Sequence, residues 1–291
     1  MGAAPTGKGR LLAWSDLHVG HPAARDVVAA AAPTSPHDWL LLAGDVAESL
    51  ESLEWAMRLL THRFEKVVWA PGNHELWSLS REPGAPRGVA HYERIVEFMR
   101  ELGVSTPEDP YPVWQGEGGP VTIAPLFILY DYSFGVPGCV TVQEGLDLAY
   151  AAGIVCSDEF FLDPAPYPSR QAWCAARVEA TTARLDALAP GIRTVLVNHF
   201  PLRREPTRIL RHTDMFSQWC GTTATHDWHT RYHAAAVVYG HLHIPRTMVI
   251  DGVPFIEASL GYPREWPHFG GPFGPRVVLD RATHDDGVGA S

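Results

Sequence analysis

Five short apolar runs in this chain each end abruptly at a polar side chain, and this repeated construction limits the possible folds more than any other feature. The polar segments that follow the runs are Asp16-Leu17-His18, Gly44-Asp45, Gly72-Asn73-His74-Glu75, Asn198-His199 and Gly240-His241-Leu242-His243. Continuous apolar runs of this kind are typical of strands that are buried on both faces. Because such strands collect ligands at their carboxyl ends, the five segments are predicted to meet at one sheet edge.

Helical periodicity alternates with these runs. Helices are predicted over 22–32, 50–64, 89–102 and 170–188. Strands are predicted over 10–15, 39–43, 66–70, 121–129, 194–197, 237–239, 246–250, 253–258 and 276–279, with Asp251-Gly252 as a hairpin turn. The alternation favours an α/β fold that forms one domain over 1–291, with a frayed tail over 281–291.

Charge and composition exclude several classes of function. Lys and Arg number 23 against 33 Asp and Glu, so the formal net charge of −10 disfavours a nucleic acid polymer or an anionic membrane as partner. No stretch is long and apolar enough to span a membrane, and a soluble, cytoplasmic protein is expected. The 4 cysteines form no Cys-x-x-Cys pair, which disfavours a thiolate zinc site.

The polar segments supply oxygen and nitrogen donors without thiolates. Such a set suits Mn, Fe, Zn or Ni, and it is large enough for two ions that share one carboxylate. In the last segment His241 and His243 are one residue apart. If the strand exit is extended, residues i and i+2 point the same way, so both imidazoles are predicted to reach one place.

Together the five segments resemble the motifs of the calcineurin-like metallophosphoesterases. The resemblance implies a four-layer sandwich of two mixed β-sheets flanked by helices, with a dinuclear metal site at the carboxyl edge of the strands. It also implies that a hydroxide bridging the two ions attacks phosphorus, and that His74 protonates the leaving oxygen or stabilises its charge. The implied ligands of one metal are Asp16, His18, Asp45 and His243, and those of the other are Asp45, Asn73, His199 and His241.

The chain also departs from one branch of this family. Protein serine/threonine phosphatases carry an Asp three residues after the bridging Asp and then Arg-Gly, whereas here Glu48 follows Asp45 and the Arg-Gly pair is missing. Glu48 is predicted to orient His74; the alternative is a surface residue in the first turn of the next helix. Without the arginine, a small-molecule phosphate ester is the expected substrate.

Three functions are compatible with these motifs, and a phosphomonoesterase is favoured. The alternatives are a phosphodiesterase that acts on cyclic nucleotides or other diesters and a non-catalytic binding module on the same fold. Candidate substrate-binding residues are Tyr132, Arg203, Arg204 and Arg264, although a solvated surface role is the simpler interpretation of any one arginine. The aromatic and proline-rich stretches within 107–168 are predicted to form a partial lid. Metal identity and oligomeric state stay open.

Overall fold

The structure, a computed structural model, describes residues 9–80, 83–210 and 214–279. Its strands are β1 (Leu11–Trp14), β2 (Trp39–Ala43), β3 (Lys66–Ala70), β4 (Val113–Trp114), β5 (Val121–Pro125), β6 (Thr194–Val197), β7 (Ala234–Tyr239), β8 (Arg246–Ile250), β9 (Val253–Glu257) and β10 (Arg276–Val277). Its α-helices are α1 (Pro22–Ala30), α2 (Leu50–Arg63), α3 (Asn73–Leu76), α4 (Gly88–Glu101), α5 (Val142–Ala151), α6 (Asp158–Phe161), α7 (Arg170–Asp186), α8 (Trp228–Arg231) and α9 (Trp266–Phe269). Short 3-10 helices cover Glu205–Ile209, Asp214–Trp219 and Thr223–Thr225.

The strands form two mixed sheets. The first has the order β10-β1-β2-β3, with β10 antiparallel and the other three strands parallel. The second has the order β4-β5-β6-β7-β9-β8, with a parallel centre and an antiparallel strand at each edge. The predicted α/β architecture of two mixed sheets flanked by helices is therefore confirmed.

Alternation along the strands explains the layers. In β1, Leu11 and Ala13 belong to an apolar core that contains only residues of the two sheets and their adjoining segments. Leu12 and Trp14 point the other way, into a larger core that includes the buried faces of α1, α2, α4 and α7. Because successive side chains of a strand point to opposite faces, strands that are apolar throughout bury one face against the other sheet and one against helices.

Several boundaries differ from the sequence prediction. The first helix ends at Ala30 and not at residue 32, and the strand predicted over 121–129 ends at Pro125, although the residues after it stay buried. Helix α5 was missed, although Thr141 and Glu144 form a capping box that marks its start. The frayed tail predicted over 281–291 lies outside the described residues.

The segment 107–168 contains β4, β5, α5 and α6. Its predicted role as a partial lid stays a prediction, but its residues 155–158 form part of the wall of the cavity described below. Among the described residues, no helix is long and apolar enough to cross a membrane. The four cysteines are free, and Cys156, Cys174 and Cys220 are buried.

Candidate metal centre

Several of the predicted ligands lie where the chain leaves a strand, and their backbone conformation there is strained. The left-handed region, which costs a non-glycine residue about 1–3 kcal/mol, is sparsely populated and clusters at functional sites. Here it holds five of the predicted ligands, with φ angles of 51° at Asp16, 42° at His18, 54° at Asp45, 68° at His241 and 54° at His243. The strands therefore end where the chain turns sharply and presents these side chains at the sheet edge.

Glycines let the motif loops approach one another. A Cβ atom added to Gly72 would lie 2.0 Å from Oδ1 of Asp45, and one added to Gly240 would lie 1.9 Å from Oγ of Ser15. No side chain fits at either distance. The glycines of these two motifs are thus required by the contact between neighbouring loops, independently of any metal.

One group of donors comprises Asp16, His18 and His243, which we call the first half of the centre. Nε2 of His243 lies 3.0 Å from Oδ1 of Asp16 and 3.3 Å from Nε2 of His18. The other ring nitrogen, Nδ1, contacts a carboxylate in both histidines, at 3.2 Å from Glu48 for His18 and 2.8 Å from Glu265 for His243. Both Nε2 atoms are thereby directed at the same point.

Asn73, His199 and His241 form the second half of the centre, and Asp45 lies between the halves. Nε2 of His199 is 2.9 Å from Oδ1 of Asn73 and 3.4 Å from Oδ2 of Asp45. Nδ1 of His199 donates to the backbone oxygen of Ala43 at 2.8 Å. Asp45 forms one donor group with Asp16 and His199 and another with His18 and His74, so it can contribute to both halves.

The arrangement of lone pairs tests whether these residues fit metal ions. When Nδ1 donates its proton, Nε2 of a neutral imidazole is an acceptor. The pairs Nε2 of His199 with Oδ1 of Asn73, and Nε2 of His18 with Nε2 of His243, then bring two acceptors together at 2.9 and 3.3 Å. Nε2 of His241 is also buried without a hydrogen-bond partner. Converging acceptors of this kind fit cations, and two groups fit two ions.

His241 and His243 reach different halves. The ring of His241 lies 5.1 Å from that of His199, while the ring of His243 lies 5.2 Å from that of His18. Strand β7 already ends at Tyr239, and both histidines have positive φ angles. The prediction that an extended exit aims both imidazoles at one place was wrong, because a tight turn follows the strand.

His74 lies beside the donors and is held from two sides. Its Nδ1 donates to Oε1 of Glu48 at 2.9 Å, and its Nε2 lies 3.7 Å from Oδ2 of Asp45. Its ring stacks on Trp77 with 3.8 Å between ring centroids. Glu48 precedes the N-cap of α2, Ser49, and its side chain is only 26% exposed. Glu48 therefore lies outside the helix and contacts His74, while its role in orienting this ring stays a prediction.

Burial and neighbouring charged groups shift the pKa values of the side chains in the centre in opposite directions. Burial acts to raise the pKa of the Asp45 carboxyl, but the nearby His199 and His74 hold it well below its usual range. Burial acts to lower the pKa of His74, yet Asp45 and Glu48 raise it above its ordinary value. For His199 the same opposition, dominated by Asp45, raises the pKa to about 9, so a metal ion that binds Nε2 must displace a proton from it. The ionised form of the Asp45 carboxyl and the protonated form of His74 are therefore favoured relative to the free side chains.

Several supporting residues stand outside the predicted set of site residues, among them Glu75 and Tyr262. The buried carboxylate of Glu75 accepts the backbone N–H groups of Asp45 at 2.9 Å and Gly72 at 2.8 Å, which ties two motif loops together. Tyr262 stacks on His18 with 4.2 Å between ring centroids. Glu75 stands within a recognised motif and could have been found, whereas Tyr262 lies far along the chain in a loop without periodicity.

A cavity of about 390 Å³ opens over the donors. Its lining residues are Asp45, Asn73, His74, Trp77, Val155, Cys156, Ser157, Asp158, Phe216, His241, Leu242, His243, Tyr262, Arg264 and Glu265. Arg264 is the one predicted substrate-binding residue in this lining. It is exposed, and its guanidinium lies 4.7 Å from the centroid of the Tyr262 ring.

The other three predicted substrate-binding residues lie outside this cavity. Arg203 is buried and forms ion pairs with Glu205 and Asp251. Arg204 is exposed and lines a separate cleft. The Tyr132 hydroxyl is bound to Glu159 and Arg170. Their sequence positions after strand ends suggested the site, but each side chain turns toward a different partner.

Comparison with known proteins agrees with this geometry. The sequence profile of the calcineurin-like phosphoesterases matches residues 9–245, most of the chain. This chain is a calcineurin-like phosphoesterase. The predicted enzyme class, a metal-dependent phosphoric ester hydrolase, is confirmed. The family uses two divalent metal ions, and the three overlapping donor groups described above are candidate ligand clusters for them.

Individual relatives have names that describe a narrower activity than the family profile does. The phosphoesterase is 54% identical over 266 residues, 91% of its length and 81% of the relative's, to the [acyl-carrier-protein] phosphodiesterase PptH of Mycobacterium tuberculosis. The crystal structure of phosphopantetheinyl hydrolase (PptH) from that organism shares 50% identity and a TM-score of 0.90, covering 98% of this chain and 99% of that one. A dimetal phosphatase from Danio rerio is far more distant, with 10% identity, coverage of 86% and 87%, and a TM-score of 0.43.

Proposed function

We propose that this phosphoesterase is a phosphodiesterase that removes a phosphopantetheinyl group from an acyl carrier protein. The observation that carries the proposal is the 54% identity, over 91% of the chain, to a relative named as an acyl-carrier-protein phosphodiesterase. The phosphomonoesterase favoured from sequence is thus less well supported than the diesterase alternative. The partner expected from sequence, a small-molecule ester, is replaced by a phosphodiester linked to a protein.

The charge of the cavity also favours a diester. Arg264 is the only Lys or Arg among the described residues that line the cavity, and Glu265 and Asp158 add acidic groups. A phosphodiester carries one negative charge, while a phosphomonoester near neutral pH carries up to two. One guanidinium, which can bind two phosphate oxygens, therefore matches the monoanionic diester better.

Access to the cavity is compatible with a protein-linked substrate. Arg264 is exposed, and Val155 on the opposite segment is 52% exposed. A phosphopantetheinyl arm is thin and flexible and can occupy a cavity of about 390 Å³, while the carrier side chain that bears the phosphate docks at the cavity's mouth. A partial lid within 107–168 would then restrict the shape of the arm and not the size of the protein attached to it.

We propose that the first half of the centre with Asp45 holds one transition-metal ion and that the second half with Asp45 holds the other. The oxygen and nitrogen donors suit Mn, Fe, Zn or Ni. When bound, two such ions neutralise the phosphate oxygens and activate a water. Arg264 binds the remaining phosphate oxygens and orients the ester for attack.

His74 is placed to complete the reaction. Water oxygen forms a bond to phosphorus and gives up one proton to solvent, the bond from phosphorus to the leaving oxygen breaks, and Nε2 of His74 supplies the proton that this oxygen needs. His74 then takes up a proton from solvent. Glu48 fixes the ring through Nδ1 at 2.9 Å and, with Asp45, raises the pKa of His74 against the effect of burial, which favours the protonated form. A general acid of this kind typically contributes about 10²–10⁴-fold.

A direct test uses the Mn²⁺-loaded enzyme and a holo acyl carrier protein. Mass spectrometry should show loss of the whole phosphopantetheinyl group and appearance of phosphopantetheine, with Asp45→Asn as the inactive control. Rapid hydrolysis of p-nitrophenyl phosphate or a cyclic nucleotide, with the holo protein left intact, would overturn the proposal. Release of pantetheine with phosphate left on the protein would show that the other ester bond is cleaved.

The role of Arg264 can be separated from general surface charge. Arg264→Ala should raise KM for the holo protein about 10–100-fold, because a hydrogen-bonded contact between charged groups is lost. Arg204→Ala is the matched control, since Arg204 is also exposed but lines a different cleft. Equal effects of both substitutions on KM would assign the change to overall charge and count against phosphate binding by Arg264.

A further inference from the structure

Asp158, the first residue of α6, contacts two residues in or near the Gly72-Asn73-His74-Glu75 motif from a distant part of the chain. Its side chain is fully buried and lines the cavity wall. A single carboxylate oxygen, Oδ1, accepts the amide N–H of Asn73 at 2.9 Å and the indole N–H of Trp77 at 2.6 Å. The second oxygen, Oδ2, is buried without a partner.

Each of these hydrogen bonds ends on a residue next to the chemistry. Oδ1 of Asn73 lies 2.9 Å from Nε2 of His199, where the second ion would bind. Trp77 stacks on the ring of His74 at 3.8 Å and an interplanar angle of 30°. Asp158 therefore contacts both Asn73, a candidate metal ligand, and Trp77, which supports the ring of the proposed general acid His74.

We propose that Asp158 is a positioning residue that fixes the amide orientation of Asn73. The amide oxygen and nitrogen of an asparagine are nearly equal in size, so shape alone does not decide which one faces the metal. An acceptor on one side of the amide decides it, because the NH₂ group must turn toward Asp158 and the oxygen toward His199. Rotation of the amide would leave buried donors without acceptors and would present N–H groups to a cation.

The same carboxylate oxygen also holds Trp77 in the plane on which His74 stacks. A residue that only anchored α6 would need neither contact, since the N-terminal segment of that helix is already tied to α7 by Arg170, which donates to the backbone oxygen of Asp158. The inference rests on the proposed ligands of the second half. It does not depend on an acyl carrier protein being the substrate.

Binding of Mn²⁺ tests the link to Asn73 without any substrate. In equilibrium dialysis Asp158→Ala should keep one tight Mn²⁺ and bind the other about 10–100-fold more weakly, the range for loss of a residue that supports a metal ligand. Asp158→Asn keeps an acceptor oxygen and should restore an affinity near wild type. Asp147→Ala, at an exposed position on α5 in the same segment, is the matched control.

Trp77→Phe separates the two contacts of Asp158. It keeps a smaller aromatic ring beside His74 and removes the N–H group, so both Mn²⁺ affinities should stay near wild type while the bond to Asn73 is intact. With bis-p-nitrophenyl phosphate as substrate, Trp77→Phe should affect kcat less than it does with an alkyl ester, whose leaving group needs the proton from His74.

Two results would overturn the inference. One is Asp158→Ala with two Mn²⁺ ions bound at wild-type affinities. The other is Asp158→Asn as damaging as Asp158→Ala, which would mean that the acceptor oxygen is not what matters. If Asp158→Ala does not fold by circular dichroism, Asp158→Val fills the space without an acceptor and carries the same expectation. Failure on a holo acyl carrier protein with normal Mn²⁺ binding would instead concern the proposed substrate.

Discussion

The two halves of the metal centre use similar donors but are supported differently. In the first half, Nδ1 of His243 donates to the Glu265 carboxylate at 2.8 Å. In the second, Nδ1 of His199 donates to the backbone oxygen of Ala43, also at 2.8 Å. A carboxylate partner makes imidazole a more basic ligand than a carbonyl partner does. The first half is therefore expected to hold its ion more tightly, and a chelator should remove the other ion first.

The difference also concerns where the support comes from. The carboxylates that hold the first half are Glu48, 30 positions from His18, and Glu265, 22 positions from His243. The second half depends on Asp158, whose partner Asn73 is 85 positions away along the chain. The second half therefore also requires correct packing of the segment 107–168.

Removing the shared ligand should have the largest effect, because it breaks both halves together. Asp45→Asn is expected to lower the occupancy of both ions and to reduce kcat/KM by about 10⁴-fold or more, since each metal supplies several kcal/mol to the transition state. Elemental analysis and steady-state kinetics measure the two quantities. Asp26→Asn, an exposed change on α1, should alter neither. Two ions retained by Asp45→Asn would contradict a shared ligand.

The second-largest effect is expected from a substitution that leaves both metal ions bound. His74→Ala is expected to lower kcat by about 10²–10⁴-fold with normal metal content, because an acid is lost and not a ligand. The loss should be large for an alkyl leaving group and small for p-nitrophenolate, which departs without a proton. A missing ion in this variant would place His74 in the coordination shell, as its proximity to His18 and Asp45 allows.

A smaller effect is expected from a substitution that reduces the difference in metal affinity between the two halves. Glu265→Gln replaces the carboxylate that supports His243 and should weaken the first-half ion about 10–100-fold, with little effect on the second. Stepwise chelation followed by Mn²⁺ EPR would show the two release steps moving together. Unchanged separation of these steps would mean that Glu265 does not set the difference in affinity.

The smallest expected effect is that of Glu48→Gln, which keeps the size of the side chain that contacts both His18 and His74. Because an amide oxygen can still accept one of these N–H groups, we expect about a tenfold loss in kcat, with the same leaving-group dependence as His74→Ala in milder form. A loss equal to that of His74→Ala would show that the charge of Glu48, and not its position, is required.

Most strands and helices could be predicted from the sequence because each depends on a local pattern of apolar residues. The run Leu40 to Ala43 is apolar throughout and became a central strand, and Leu53, Met57 and Leu60 form the buried stripe of α2. Where the pattern and the structure disagree, pairing with the neighbouring strand decided. The strand β5 pairs with β6 as far as Val197, where β6 ends, so β5 ends at Pro125 although buried apolar residues follow it.

In the candidate site, too, some features follow from local sequence and others from tertiary contacts. The identity of the donors and their order along the chain follow from the sequence, because each donor directly follows an apolar run. Which half each donor joins, the positive φ angles at Asp16 and Asp45, and the contacts of Asp158 depend on loops brought together by the two sheets. Hydrogen bonds between residues this far apart leave no periodic signal in the chain, so only the tertiary structure decides them.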